Sequence, residues 1–147
     1  MEYATRAGAV TARYFGETEE LLPKYAWYIK NSKEQIWPVG SLKPNDMGFF
    51  DVQGNVFTWC QESYKNYPQR QDGKAAEDTE DDLVINKEII RVLRGGSFFT
   101  QTSIVRSACR VNNVPTNRND FKGFRAARTL LLVPFTVLPH TPEGGRK

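Results

Sequence analysis

The chain has 147 residues, with 20 Lys and Arg against 17 Asp and Glu, one His and two Cys; 39% of residues are hydrophobic and 12% aromatic. That length admits one ordinary domain rather than two, and the aromatic share excludes a disordered polar chain. No apolar run approaches the ~20 residues of a membrane-spanning helix, and two cysteines build neither a disulfide framework nor a Cys/His zinc site.

In chain order, Thr18 is placed to cap a turn carrying Glu19 and Glu20, whose charges suit the positive end of a helix. Pro23 fits the first turn of a fresh helix, so Tyr25-Ala26-Trp27-Tyr28-Ile29 is predicted to turn an aromatic face inward. Short strands are predicted at residues 37–40, 49–52, 89–93, 104–110 and 124–132. Between them, Pro44-Asn45-Asp46, Gln53-Gly54-Asn55 and Gly95-Gly96 are turn chemistry. Residues 68–82 are polar and end in Glu77-Asp78-Thr79-Glu80-Asp81-Asp82, a solvated loop without the alternating Asp/Asn spacing of a calcium loop. The domain is expected over residues 1–128, followed by an exposed tail, 129–147, that holds Pro134, Pro139 and Gly144-Gly145.

Charge is unevenly placed. Residues 1–73 carry eight basic and nine acidic side chains; residues 74–147 carry twelve and eight. Residues 90–128 hold eight basic groups against Asp120 alone. A nucleic-acid footprint is one reading. Arginines paired with carboxylates and carbonyls inside a loop-rich fold are the favoured one, because no helical stripe or nucleic-acid motif accompanies them.

Nucleotide loops, nucleophile elbows and HExxH are absent, and the single His140 lies in the proline-rich tail, which excludes a Ser-His-Asp or Cys-His site. Cys60 and Cys109 both sit among hydrophobic residues, and inert buried thiols are favoured over a reactive pair.

Four segments stand out together. They are Glu2-Tyr3-Ala4-Thr5-Arg6-Ala7-Gly8; Val39-Gly40 with Lys43-Pro44-Asn45 and the run from Gly48 to Val56; Arg91-Val92-Leu93-Arg94-Gly95-Gly96-Ser97-Phe98; and Gly123-Phe124-Arg125-Ala126-Ala127-Arg128. Each has an architectural use. Gly95-Gly96 permits positive φ or close backbone approach, and Gly123 is expected to let Phe124 enter a core while Arg125 and Arg128 reach polar partners. In this order and spacing the segments resemble the formylglycine-generating enzyme family, also called sulfatase-modifying factor domains, over nearly the whole chain. Tyr25-Ala26-Trp27-Tyr28 is similar to bacterial members.

The resemblance implies an α+β, C-type-lectin-like fold with short strands, few helices and much irregular loop. It also implies a substantial N-terminal portion before Glu2, so the chain is expected to be the C-terminal part of a truncated domain. Catalytic members oxidise a substrate cysteine to formylglycine with oxygen and copper held by two cysteines. Here Thr100 and Val105 stand at about those two positions, and neither a hydroxyl nor a valine suits soft Cu(I). Ser97 matches the family's active-site serine. Phe57 replaces an active-site Trp, and Thr58 replaces a Glu that would bind calcium with Asp51 and the carbonyls of Gly54 and Val56. That substitution removes a full charge, leaving at most a weak calcium site. The family's second calcium loop has no counterpart, since residues 31–35 are too few.

The resulting expectation is a non-catalytic sulfatase-modifying-factor-like module. It would bind a peptide, protein or small ligand on a loop-built face bearing Phe57, Trp59, Ser97, Phe98 and Arg106. The first rival is an active oxidase acting on a sulfatase cysteine; the second is a nucleic-acid binder using the Arg-rich half. Met1-Glu2-Tyr3-Ala4 is no secretory leader, so a cytoplasmic setting is the default expectation.

Overall fold

The structure, a computed structural model, describes residues 1–67 and 86–127; the predicted loop 68–82, the tail 129–147 and part of the predicted strand 124–132 lie outside them. Its regular structure is a four-stranded mixed sheet in the order β3-β2-β1-β4, built from β1 (Phe57–Ser63), β2 (Arg91–Arg94), β3 (Arg110–Asn113) and β4 (Lys122–Gly123). β1 and β3 flank β2 antiparallel, and β4 runs parallel to β1. Thr58 faces Arg94 and Trp59 faces Leu93, but Ser63 faces Arg91, so β1 bulges between them and bends the sheet.

Two short helices, α1 (Glu2–Arg6) and α2 (Leu22–Tyr25), complete the regular elements. Pro23 does open α2, as its fixed φ allows. Leu21 precedes α2, with no side-chain bond to it, and the Glu19-Glu20 turn that Thr18 was expected to cap closes just before it, the Leu22 amide donating to the Glu19 carbonyl. Helix also ends sooner than expected, at Tyr25, where Ala26 is already extended. Asn31 explains this. Its Oδ1 accepts from the Tyr28 amide at 2.8 Å and its Nδ2 donates to the Ala26 carbonyl at 2.9 Å, which offers the backbone an alternative to helix. Residues 25–29 therefore alternate like a strand, Ala26 and Tyr28 facing inward.

Those two side chains join Leu22, Val105 and the half-buried Phe15 in one apolar cluster. Phe15 stacks on Tyr25 at 4.7 Å between ring centroids, and Tyr14 meets both rings edge-on. Arg13 is buried beside this cluster, each of its three guanidinium nitrogens donating, to the carbonyls of Val105, Glu17 and Thr102. Burial there holds the Tyr14 phenol protonated far above its ordinary range.

The strand predictions were displaced more than absent. β2 begins two residues after the predicted 89–93, β3 starts where 104–110 ends, and β4 precedes 124–132. Residues 37–40 and 49–52 are not strands; side-chain bonds from Asp51, Asn45 and Asn55 hold them as loops. β1 was not foreseen, although Phe57 and Trp59 alternate with Thr58 and Cys60 as a strand requires. Phe124 is exposed rather than in a core; it is Gly123 that lies close against Val56, where an added Cβ would stand 2.9 Å from Val56 Cγ2.

The turn at residues 53–55 ties these loops together. Gly54 donates to the Gly95 carbonyl and Asn55 to the Trp27 carbonyl, while the Asn55 carbonyl accepts from the Phe98 amide. The Asn55 side chain clamps both the amide and the carbonyl of Trp37, each at 3.0 Å. Gly54 has φ +76°, and a Cβ there would stand 2.3 Å from the Trp27 carbonyl oxygen. Gly54→Ala is expected to lose roughly 2–5 kcal/mol through strain and backbone collision together. Gly8→Ala, also at positive φ but with nothing within 4 Å of the added carbon, should lose only about 1 kcal/mol. Chemical denaturation of both variants measures the difference.

Candidate functional site

The Arg94-Gly95-Gly96-Ser97 segment leaves β2 through two glycines at φ +91° and +80°. This path folds Ser97 back against Thr100. The Ser97 amide donates to Thr100 Oγ1 at 2.8 Å, the two hydroxyls are 3.0 Å apart, and the Thr100 amide donates to the Ser97 carbonyl. Both side chains are buried, and the Thr100 carbonyl accepts from the Ile29 amide. Phe98 is buried too, its carbonyl accepting from Ser32 Oγ at 2.9 Å. Val105 has no accessible surface and belongs to the apolar cluster of Leu22, Ala26 and Tyr28. The positions expected for a copper-binding pair thus hold a turn together at one end and fill a core at the other.

The five residues expected on a ligand face differ in setting. Ser97 and Phe98 are inside the turn, and Arg106 is exposed beyond Val105. Phe57 opens β1, its amide bonded to the Phe121 carbonyl. Trp59 has the Lys122 ammonium 5.6 Å from its ring centroid. With Cys60, Arg91 and Pro115 it borders a depression of about 220 Å³.

Cys60 and Cys109 are free thiols, each half-buried. Burial pushes both above the ordinary thiol range, and nearby positive charge (the N-terminus and Arg94 for Cys60, Arg106 and Arg94 for Cys109) offsets this only in part. Alkylation by iodoacetamide at pH 7.5, followed by mass spectrometry, should run slower at both than at a free cysteine. The rate should climb as pH rises, because the reactive thiolate forms later.

The calcium set expected from the resemblance comes together only in part. Asp51, Val56 and Thr58 border one cleft of about 460 Å³, with Gly54 in the turn beneath it. Asp51 sits at φ +52°; its Oδ2 accepts from the Gly40 amide at 2.8 Å, and its buried Oδ1 has no hydrogen-bond partner among the described residues. One carboxylate falls short of the charged oxygens a calcium centre assembles. Among the described residues no group of three or more His, Cys, Asp or Glu converges. The rest of the cleft escaped the sequence reading. Val39, Phe49, Phe50, Phe124 and Arg125 line it from three separate segments, and Arg125 donates to the Phe50 carbonyl at 2.6 Å. The exposed ring of Phe124 is the signal that marks this wall.

A glycine-turned loop shell around a small mixed sheet defines a loop-rich α+β domain of the sulfatase-modifying-factor kind. The chain belongs to the sulfatase-modifying factor enzyme 1-like domain family, whose model matches residues 1–130. It is 30% identical over 142 residues to the formylglycine-generating enzyme of Streptomyces coelicolor, covering 86% of this chain and 43% of that protein. It is 35% identical over 92 residues to serine/threonine-protein kinase pkn1 of Chlamydia pneumoniae, covering 63% of this chain and 14% of the kinase. Among solved structures, Treponema denticola variable protein 1 superposes with a TM-score of 0.68 at 30% identity, over 84% of this chain and 42% of that one. PvdO from Pseudomonas aeruginosa gives 0.63 at 28% identity, over 84% and 47%. The chain therefore spans less than half the length of these relatives. No helix among the described residues is long and apolar enough to cross a membrane.

The Ser97–Thr100 turn yields a direct check. Thr100→Val should cost about 1–3 kcal/mol, since it strands the buried Ser97 amide, whereas Thr100→Ser keeps the acceptor and should cost less. Thermal unfolding of the two variants separates them.

Proposed function

We propose that this chain is a non-catalytic member of its family, a module that binds a peptide or protein segment. The observation that carries the reading is the use made of Thr100 and Val105. One hydroxyl is committed to the Ser97 amide, and one aliphatic side chain is sealed in the core. Neither offers the soft thiolate that holds Cu(I). Cys60 and Cys109 are poor substitutes: burial pushes both thiols above the ordinary range, so a metal would have to displace a proton held more tightly than usual. The likeness to pkn1 adds support, because it occupies a small share of a much longer protein, as an appended module would.

Little favours the nucleic-acid reading. Arg91 and Arg94 are buried, Arg94 bonded to Glu2 and Tyr67, and Arg110 lies over the rings of Tyr64 and Tyr67. These charges serve the fold, as structural arginines do.

Copper titration tests the proposal. The purified chain should show no stoichiometric, tight Cu(I) binding, and a Cys-x-Pro-x-Arg peptide incubated with it under oxygen should keep its mass. Tight one-to-one copper binding, or loss of mass at the peptide cysteine, would return the chain to the oxidases.

A further inference from the structure

The cleft that borders Asp51 has a character of its own. Single exposed apolar side chains are ordinary on protein surfaces. Four converge here: Val39 is 83% exposed, Phe49 45%, Phe50 41% and Phe124 83%, and all four line the one concavity of about 460 Å³. That volume lies in the range of pockets that enclose a ligand, and a convergent apolar wall marks a contact surface.

Polar groups decide what the cleft accepts. Its floor carries one carboxylate, Asp51, whose Oδ2 accepts from the Gly40 amide and whose Oδ1 is buried with no hydrogen-bond partner among the described residues; both ends of the Asn55 amide are committed to Trp37. The rim is different. Arg125 is exposed and donates to the Phe50 carbonyl at 2.6 Å, which brings its guanidinium beside the rings. It has five N–H donors, and among the described residues that carbonyl is its one hydrogen-bond partner, with no carboxylate within ion-pair distance. A pre-positioned guanidinium with donors to spare matches a carboxylate, which it can engage through two parallel bonds.

The geometry points to this cleft as the docking site for a peptide segment of a partner protein in which an Asp or Glu neighbours an aromatic or large aliphatic residue. The apolar side chain lies among Phe49, Phe50 and Phe124, and the carboxylate meets Arg125. This rests on the binding-module reading above and adds the chemistry of the partner.

The test is NMR titration of the isotopically labelled chain with three probes: the capped peptides Ac-Phe-Glu-Gly-NH2, Ac-Phe-Gln-Gly-NH2 and Ac-Phe-Lys-Gly-NH2. The acidic peptide should shift the amides of Gly40, Phe49, Phe50 and Arg125 and bind roughly five- to tenfold more tightly than its Gln counterpart, with the Lys peptide weakest. Added salt should narrow that preference. Arg125→Gln should erase the Glu-over-Gln preference, Arg125→Lys should keep part of it, and Phe124→Ala should weaken all three peptides. Equal affinity for the Glu and Gln peptides, a preference for Lys, or shifts confined to other surfaces would overturn the assignment. So would shifts at these amides that follow the chain's own concentration without peptide, which would give the cleft to self-association. Should the peptide preference fail while copper still does not bind, the non-catalytic reading stands and this docking site falls; tight copper binding removes the reading itself.

Discussion

Everything in this domain hangs on the close approach of the Gln53-Gly54-Asn55 turn to the Trp27 backbone. A seven-residue β1 and a four-residue β2 cannot organise long loops by themselves. The turn does that work with backbone groups and one amide side chain. Trp27, Trp37, Gly95 and Phe98, spread over some seventy residues of sequence, are all bonded to Gly54 or Asn55. Trp27 and Trp37 then stack at 4.4 Å, closing an apolar lid over the polar clamp. Buried loops carry many polar backbone groups that need partners. An asparagine with one donor end and one acceptor end can satisfy both groups of a neighbouring residue, as Asn55 does for Trp37.

The same economy appears at the sheet. Arg94, buried on β2, donates to Glu2 Oε2 at 2.9 Å and to the Tyr67 hydroxyl at 3.2 Å, while Glu2 Oε1 accepts from Arg6 at 2.9 Å. One carboxylate thus binds α1 to the sheet and to its own next turn. A buried pair of this kind is weak evidence for net stability, because desolvation opposes the Coulomb attraction. Its value is positional: α1 is five residues long and too short to hold itself. Asn45 adds a second tie from the far side, its Nδ2 donating to the Ala4 carbonyl at 2.6 Å while its Oδ1 receives the amides of Met47 and Phe49.

The sequence displayed the fold's punctuation more clearly than its elements. Gly95-Gly96 and Gly54-Asn55 were legible because positive φ demands those residue types, and both turns stand where they were read. Strand bounds were not, since β2 and β3 are four residues each and β4 only two. At that length, periodicity carries almost no signal. The helix expected after Pro23 was overridden by Asn31, a side-chain bond invisible to local propensity. The site divided in the same way. The absence of cysteine from residues 97–105 is plain in the sequence, but the aromatic cleft is not. Its members come from residues 39, 49–50 and 124–125, brought together only by the loops that Asn45, Asp51 and Asn55 fix.

That division bears on how such a domain changes use. The Thr100 and Val105 positions lie on a loop anchored at both ends, through Ser97 to the glycine turn and through Val105 to the core with Arg13 bonded to its carbonyl. A hydroxyl and an aliphatic side chain fill those places with ordinary bonding and packing, so the scaffold does not depend on the cysteines a catalytic member keeps there. The aromatic cleft is built from loops that the same scaffold fixes, at residues that take no part in the 97–105 segment. The 97–105 segment and the cleft are therefore built from separate residues of one scaffold, so a substitution in either need not disturb the other. The hydrogen bonds of Asn45, Asp51 and Asn55 that shape the cleft do not involve Thr100 or Val105.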